Sequence, residues 1–499
     1  MAIYNSIKEF HPIINEKFLE KAEQLRPKLI ESTIFTVPSN SKPMKKGDKL
    51  LLDFGDHHVG TLSFHAESVG SPMDAPAKLR VRFVERLFEL EEDWDNYNGD
   101  VSSSWLQEEI FFLDVLPIDW TINRRHAFRY VEILVIDTTP KYQIVLSNIS
   151  CKSISSADYQ RVENLSINDA ELTLIDKISL RTAHQCTQLV FEDGPKRDQR
   201  LWLGDLRLQA LSNYATFKNY DLVKRCLYLF AGMTNGDGQV GACLFHLPVV
   251  QVDDTALFDY SLAFVSTLLE YYEETKDLEA LNDLYDTAKK QVDLALEQLD
   301  ERGIVKDHDS WWCFVDWGEG LNKQASAEAI LIATLRDLCK LTKYLNKETS
   351  CYEECITRLS DASMTYLFDK EKGLFVSGDK KQISWASQIW FVLAGILTNE
   401  ENKALLERIT KEKSAVKLVT PYAHHYYVMA LLESGLKEKA IDDLKNYWGR
   451  MVKEGADTFY EVYDPENPES SPYGGRIINS YCHAWSGTPC YIIRKFLLK

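Results

Sequence analysis

Residues 129–136 read RYVEILVI, and residues 168–188 read NDAELTLIDKISLRTAHQCTQ. The first alternates as a strand does; the second repeats its apolar residues every three or four positions, as a helix does. Between them, near residue 160, the period of the chain changes, and that change divides the protein. Upstream, KLLLDFGDHHVGTLSFHAES (49–68), AKLRVRFVERL (77–87) and SWLQEEIFFLDVL (104–116) alternate as well, punctuated by Gly, Pro, Asp and Asn. Short strands separated by turns predict an N-terminal antiparallel β-sandwich over residues 1–162.

From residue 163 to 499 the helical period persists. Twelve segments carry it, near 168–188, 204–217, 220–233, 254–275, 277–301, 325–346, 349–369, 384–397, 400–413, 422–435, 437–454 and 480–498. Their connectors alternate in length. Those around 218, 276, 347, 398 and 436 are a few residues, whereas 189–203, 234–253, 302–324, 370–383, 414–421 and 455–479 are mostly long. A short connector forces antiparallel neighbours, so the alternation puts the six long loops at one end. The expected fold is multidomain α+β: the sandwich followed by an (α/α)6 barrel of six helical hairpins.

Composition narrows the function. The 499 residues are 45% hydrophobic and 26% charged, with a formal net charge of −18. A surface of that sign repels phosphate backbones and anionic lipids, so neither nucleic acid nor membrane is an expected partner. MAIYNSIKEFHPIINEKF (1–18) lacks the pattern of a secretory leader, and ISWASQIWFVLAGIL (383–397) is too short to span a bilayer and carries Gln388. A cytoplasmic protein is expected. The ten cysteines are scattered without a CxxC pair and read as reduced thiols. Cys351 and Cys355 lie four apart with no companions to complete a zinc set, so no metal and no cofactor are expected.

The unusual chemistry sits in the long loops. EDGPKRDQRLWLGD (192–205) crowds acids, bases, two glycines, a proline and a tryptophan into the first. VVQVDDTALFDY (249–260) closes the second, HDSWWCFVDWGEGLN (308–322) fills the third, and ISWASQIW (383–390) borders the fourth. ADTFYEVYDPENPESSPYGG (456–475) fills the sixth, followed by SYCHAWSG (480–487). Aromatic rings against CH faces, with carboxylates and Arg reading hydroxyls, suit a sugar, and two separated carboxylates can cleave a glycosidic bond. Each residue also has a plainer explanation. Asp205 can cap a helix, as can Asp253 and Asp254. Asp193–Gly194–Pro195 can be a turn. Arg197, Asp198 and Arg200 can form a surface ion-pair knot, and His483 can be a buried imidazole. His424 and His425, being adjacent, point in different directions. Trp311, Trp312 and Trp317 can be core, although their flanking Asp309 and Asp316 make a poor core pattern. The gathering of these residues at one rim favours a site.

EDGPKRDQRLWLGDL resembles the DxPxRDExxxWxGD stretch of the α-L-rhamnosidases of glycoside hydrolase family 78. LDFGDHHVGTLSF (52–64) and HAFRYVEI (126–133) resemble segments of that family's β-sandwich. VDDTALF, Asp316–Trp317, ADTFYEVYDP and CHAWSGTP are similar to its GDA, DW, GATTxWE and final histidine motifs. The resemblance implies inversion at the anomeric carbon and release of L-rhamnose. It places Glu461 as the general base and Asp193, Arg197, Asp198, Asp254, Trp317 and His483 at sugar-binding positions. Trp202 and Asp205 match the WxGD end, with one residue fewer before it than usual. Gln199 stands where many members have the glutamate acid, which leaves Asp198 and Asp205 as candidate acids. Trp312 and Asp316 join the expected substrate-binding set, and Trp202 and Trp317 are expected to face the C6 methyl of rhamnose. The two carboxyl groups of an inverting pair should stand roughly 6.5–9.5 Å apart. The chain stops at Lys499 without the usual C-terminal β-sandwich. A compact form acting on small rhamnosides, and dimerising to cover exposed surface, is therefore expected. Two other readings stay open: another (α/α)6 glycosidase, such as an unsaturated uronide hydrolase, and a rhamnose-binding homologue without catalysis.

Overall fold

The computed structural model describes residues 11–38, 40–308 and 312–498. Asp309 and Trp311 lie outside the described residues. Six antiparallel strands form one sheet: β1 (Ile30–Phe35), β2 (Lys49–Gly70), β3 (Ala77–Val84), β4 (Glu108–Leu113), β5 (Ile118–Asp137) and β6 (Tyr142–Ser155), in the order β1-β6-β2-β5-β3-β4. Alternate residues make the core: Leu52, Phe54, Leu62 and Phe64 of β2 pack with Leu79, Val81 and Phe83 of β3 and Phe128, Val131 and Ile133 of β5. The register of β2 against β5 shifts between Asp53 and His58 and again between Gly60 and Leu62. Such bulges bend strands this long. Two strands, β1 and β6, have no counterpart among the alternating runs read above; β6 is broken up by serines and by Asn148 at φ 52°.

The chain leaves the sheet between β3 and β4 for an excursion over residues 85–107. It carries 3-10 turns at Leu87–Glu91 and Ser103–Trp105. This excursion packs on the helical domain: Val84, Trp94 and Leu106 form an apolar cluster with Ile477 and Ile478. The first helix, α1 (Glu16–Gln24), precedes the sheet in sequence yet belongs spatially with the helices. Arg225 donates to the Ala22 carbonyl, and the Asn15 N–H donates to Gly232 O at 2.8 Å.

The helical domain runs α2 (Ala170–Gln185), α3 (Leu203–Ala215), α4 (Tyr220–Gly232), α5 (Phe258–Thr275), α6 (Leu278–Leu296), α7 (Gln324–Tyr344), α8 (Ser350–Tyr366), α9 (Trp385–Ala394), α10 (Asn399–Lys411), α11 (Pro421–Glu433) and α12 (Lys437–Lys453). The twelfth segment is not one helix. It is a 3-10 turn at Ala484–Gly487, a short helix α13 (Pro489–Ile492) and a wider turn at Ile493–Leu497. Extended backbone at His483 (φ −130°, ψ 137°) holds back the helix start that the period predicted at residue 480. α3, α5, α7, α9, α11 and the C-terminal segment contact one another in a closed inner ring, with α2, α4, α6, α8, α10 and α12 outside it. The inner helices are the ones entered from long loops, so their N-terminal ends gather at one rim. No described helix is long and apolar enough to cross a membrane.

Candidate active site

Fourteen residues enclose a cavity of about 310 Å3 at that rim, among them Asp193, Arg197, Asp198, Trp202, Asp205, Trp317, Glu461 and His483. They come from the first, third and sixth long loops, the start of α5, the segment before α13 and, through Val101, the β domain. The first loop is held by its own backbone: Asp193 N–H donates to Arg200 O, and Arg200 N–H donates to Asp193 Oδ1, both at 3.0 Å. The turn between them places Asp198 (φ 69°) and Gln199 (φ 53°) in the left-handed region. Strain of this kind persists only where surrounding contacts enforce it.

Glu461 is gripped through both of its carboxylate oxygens. Arg197 Nη2 donates to its Oε2 and the Tyr473 hydroxyl to its Oε1. Burial works against its charge, yet Arg197, His483 and Tyr473 hold its carboxyl below the usual range. It is a charged acceptor, almost fully buried in the cavity wall. Burial, with Asp198 and Asp205 nearby, pushes Asp193 well above the ordinary carboxylate value. Asp205 is also raised by burial, against the opposing pull of His483, whose Nε2 lies 3.2 Å from its Oδ1. Burial disfavours the His483 cation, but Glu461 and Asp205 raise it above the ordinary imidazole value. The Asp205 side chain is 2% exposed. Asp198, at 19%, opens to the cavity and has the Arg197 guanidinium 3.7 Å away. Gln199 turns away, its amide donating to Pro195 O at 2.8 Å.

Aromatic rings line much of the rest of the cavity. Phe314 stacks on Trp485 (5.3 Å, 17°) and meets Trp317 edge-on (5.3 Å, 79°), and Trp317 meets Tyr473 at 5.8 Å. Trp202 stands at the mouth of α3, edge-on to Tyr260 at 6.3 Å. The turn presenting Phe314 and Trp317 has Val315 at φ 59°. It is bracketed by Asp259, whose carboxylate accepts the N–H groups of Phe314 (3.0 Å) and Val315 (2.9 Å).

The comparisons with known proteins agree with this architecture. The glycosyl hydrolase family 78 alpha-rhamnosidase N-terminal domain matches residues 20–153, and the bacterial alpha-L-rhamnosidase 6 hairpin glycosidase domain matches residues 160–497. The chain belongs to glycosyl hydrolase family 78. A rhamnosidase from Klebsiella oxytoca with rhamnose bound is 42% identical, with a TM-score of 0.95 over 97% of this chain and 99% of that one. A GH78 family rhamnosidase of Bacillus sp. GL1 is 21% identical at a TM-score of 0.77, over 90% of this chain and 46% of its own. The Streptomyces avermitilis alpha-L-rhamnosidase complexed with L-rhamnose is 17% identical at 0.69, over 94% and 44%. The family 78 chain thus spans about half the length of the latter two, and at those identities the likeness is one of fold. No curated protein matches the sequence.

Three residues expected in the site of this family 78 protein lie outside the cavity lining. Asp316 is buried, and its carboxylate is bonded from within: it accepts the N–H groups of Trp317 (2.8 Å), Val419 (2.9 Å) and Thr420 (3.0 Å) and the Thr420 hydroxyl (2.8 Å). It ties the third long loop to the fifth, so Asp316 aims Trp317 and is occupied by the backbone of its own fold. Trp312 packs on Phe258 and lines a separate cavity with His308, to whose carbonyl its indole donates at 3.2 Å. Asp254 is half-buried beside Asp253, and burial with that neighbour raises its carboxyl. The 383–390 stretch also lies outside the cavity, Trp385 on Tyr427 and Trp390 on Tyr426. Tyr473, Trp485, Phe314, Tyr260, Leu257 and Val101 line the cavity without having been singled out. Tyr473 and Trp485 sit inside stretches already noted for their aromatics; Val101 comes from the β domain and left no local signal. Among the described residues, no group of three or more His, Cys, Asp or Glu could hold a metal ion.

Proposed function

We propose that this chain is an inverting α-L-rhamnosidase that releases terminal rhamnose from small rhamnosides. One observation carries the proposal. Glu461, Asp198 and Asp205 share a single cavity with an aromatic wall, in a chain 42% identical along almost its whole length to a rhamnosidase with rhamnose bound. The cavity, about 310 Å3, is at the small end of ligand pockets, which run from roughly 300 to 1,000 Å3. That size favours one sugar ring with its leaving group outside.

Glu461, kept ionised by Arg197, takes the proton of a water on one face of the ring. On the other face Asp198 protonates the leaving oxygen, the pair standing roughly 6.5–9.5 Å apart to admit the water. Asp198 suits the acid role better than Asp205, because it is the more exposed of the two in the cavity, whereas Asp205 is paired with His483. The Asp205–His483 pair and Asp193 then bind ring hydroxyls, each charged hydrogen bond contributing about 1.5–3 kcal/mol. The wall of Phe314, Trp317 and Trp485 offers the C6 methyl an apolar surface. A uronide hydrolase would need a cation free for the substrate carboxylate, and Arg197 spends its charge on Glu461.

The test is release of rhamnose from an aryl α-L-rhamnoside, with the first-formed anomer read by NMR. Glu461→Gln should lower kcat by about 10²–10⁴-fold while rhamnose still binds by calorimetry. Near-normal turnover in that variant removes Glu461 from the role, and first-formed α-rhamnose removes inversion.

A further inference from the structure

The excursion of the β domain over residues 85–107 reaches the two groups that grip Glu461, by separate routes. The first runs through Glu89. Its Oε1 accepts the N–H groups of Glu85 (3.0 Å) and Arg86 (2.7 Å), and its Oε2 accepts the Lys196 ammonium at 2.5 Å. Lys196 donates further to the carbonyls of Ile477 and Asn479, both at 3.0 Å. The adjacent Arg197 donates from Nε to the carbonyl between them, that of Ile478, at 3.2 Å, and from Nη2 to Glu461. The second route runs through the backbone of 99–100. Asp100 N–H donates to Tyr473 O at 2.8 Å, and Tyr473 donates its hydroxyl to Glu461. The approach is so close that a Cβ at Gly99 would sit 2.5 Å from Tyr473 O and 2.3 Å from Tyr97 Oη. Val101, next in the chain, lines the cavity.

We infer that the β domain positions the catalytic base: Glu89, acting through Lys196, and Gly99–Asp100, acting through Tyr473, set where Arg197 and Tyr473 hold the Glu461 carboxylate. The Glu89–Lys196 pair is buried on both sides, at 1% and 2% exposure. Desolvation makes such a pair no more stabilising than apolar side chains of the same shape. What an ion pair adds is geometry, since the ammonium must lie where three oxygens meet it. The nearest other charge on this cluster is Glu85, 4.0 Å from Lys196 and itself bonded to His57 at 2.9 Å. The inference rests on Glu461 being the base.

Full-length Glu89→Gln, Lys196→Met, the double variant and Gly99→Ala test it. Glu89→Gln keeps the bonds to the 85–86 backbone but turns an amide toward Lys196. A carboxylate displaced by about 1 Å costs on the order of 100-fold, so kcat should fall about 10- to 100-fold with KM little changed. The acid limb of kcat/KM should move up, because Arg197 and Tyr473 loosen around Glu461 while His483 and Asp205 stay. Glu89→Gln and Lys196→Met combined should lose less than the product of the two single losses. Gly99→Ala leaves the ion pair intact and should reproduce the kcat loss through Tyr473, which keeps the test alive if Glu89→Gln does not fold. Variants that only melt earlier, with per-molecule kcat and the acid limb unchanged, overturn the inference. An active wild type and an inactive Glu461→Gln beside unaffected Glu89→Gln and Gly99→Ala overturn it alone. A wild type that releases no rhamnose overturns both it and the proposed function.

Discussion

Arg197 and Glu461 form an ion pair inside the cavity, with side chains 5% and 3% exposed, and the pair decides the charge of the carboxylate. Burial by itself would raise the Glu461 carboxyl; Arg197 is the largest of the groups that bring it below the ordinary value instead. The sign of the pH dependence follows. A depressed carboxyl stays ionised below the ordinary glutamate value of about 4.3, and activity falls only as pH drops through the depressed value. The stability it contributes is present above the unfolded value and is lost over that same fall. Arg197→Gln leaves burial less opposed, so the acid limb of kcat/KM on a neutral aryl rhamnoside should shift to higher pH. A limb that stays in place would show that Arg197 does not set the charge of Glu461.

Asp198 and Asp205 are separated by how much their substitution depends on the leaving group. Without its acid, the enzyme should lose about 10²–10⁴-fold on alkyl rhamnosides, and far less on a nitrophenyl rhamnoside whose anion leaves unaided. Asp198→Asn should behave this way. Asp205→Asn should instead weaken rhamnose binding by about 1.5–3 kcal/mol, the value of a hydrogen bond to a charged group, measured by calorimetry. The opposite pattern would assign the acid to Asp205.

Trp317 meets Phe314 and Tyr473 edge-on and is aimed by Asp316. Trp317→Ala should erode the preference for rhamnose over its 6-hydroxyl counterpart mannose by about 1–3 kcal/mol, read as the ratio of kcat/KM on the two aryl glycosides. An unchanged ratio would place the methyl against a different part of the wall.

Gly204 sits in the first turn of α3, where a Cβ would come within 2.4 Å of the Tyr260 ring. That ring is buried and has Trp202, Phe314 and Tyr422 about it, so it has little room to yield. Alanine gains up to about 1 kcal/mol of helix propensity over glycine. Overpacking costs about 1–3 kcal/mol. Gly204→Ala should therefore be destabilising in denaturant melts, and neutral or increased stability would mean that Tyr260 moves freely.

Hydrophobic period is a local property, and it alone marked the change from strands to helices and the helix pairs from α2 to α12. The aromatics and carboxylates of the long loops, the EDGPKRDQRLWLGD stretch among them, likewise pointed to a sugar site. What a local pattern cannot carry is direction. Asp316 and Trp317 are neighbours in the same motif; the ring lines the cavity, while the carboxylate turns back to bind the N–H groups of Val419 and Thr420, about a hundred positions on. Trp312 reads like Trp317 but packs on Phe258. The β domain's share in the site, through Val101, Glu89 and Gly99, was invisible because it depends on contacts with residues 196 and 473–479. The sequence by itself determined four of the six strands of the sheet, the helices from α2 to α12 and which loops are rich in chemistry, since each depends on neighbours a few positions away. Only the tertiary structure decided which carboxylate faces the cavity and which is consumed by the backbone, because that choice is made by partners brought together through folding.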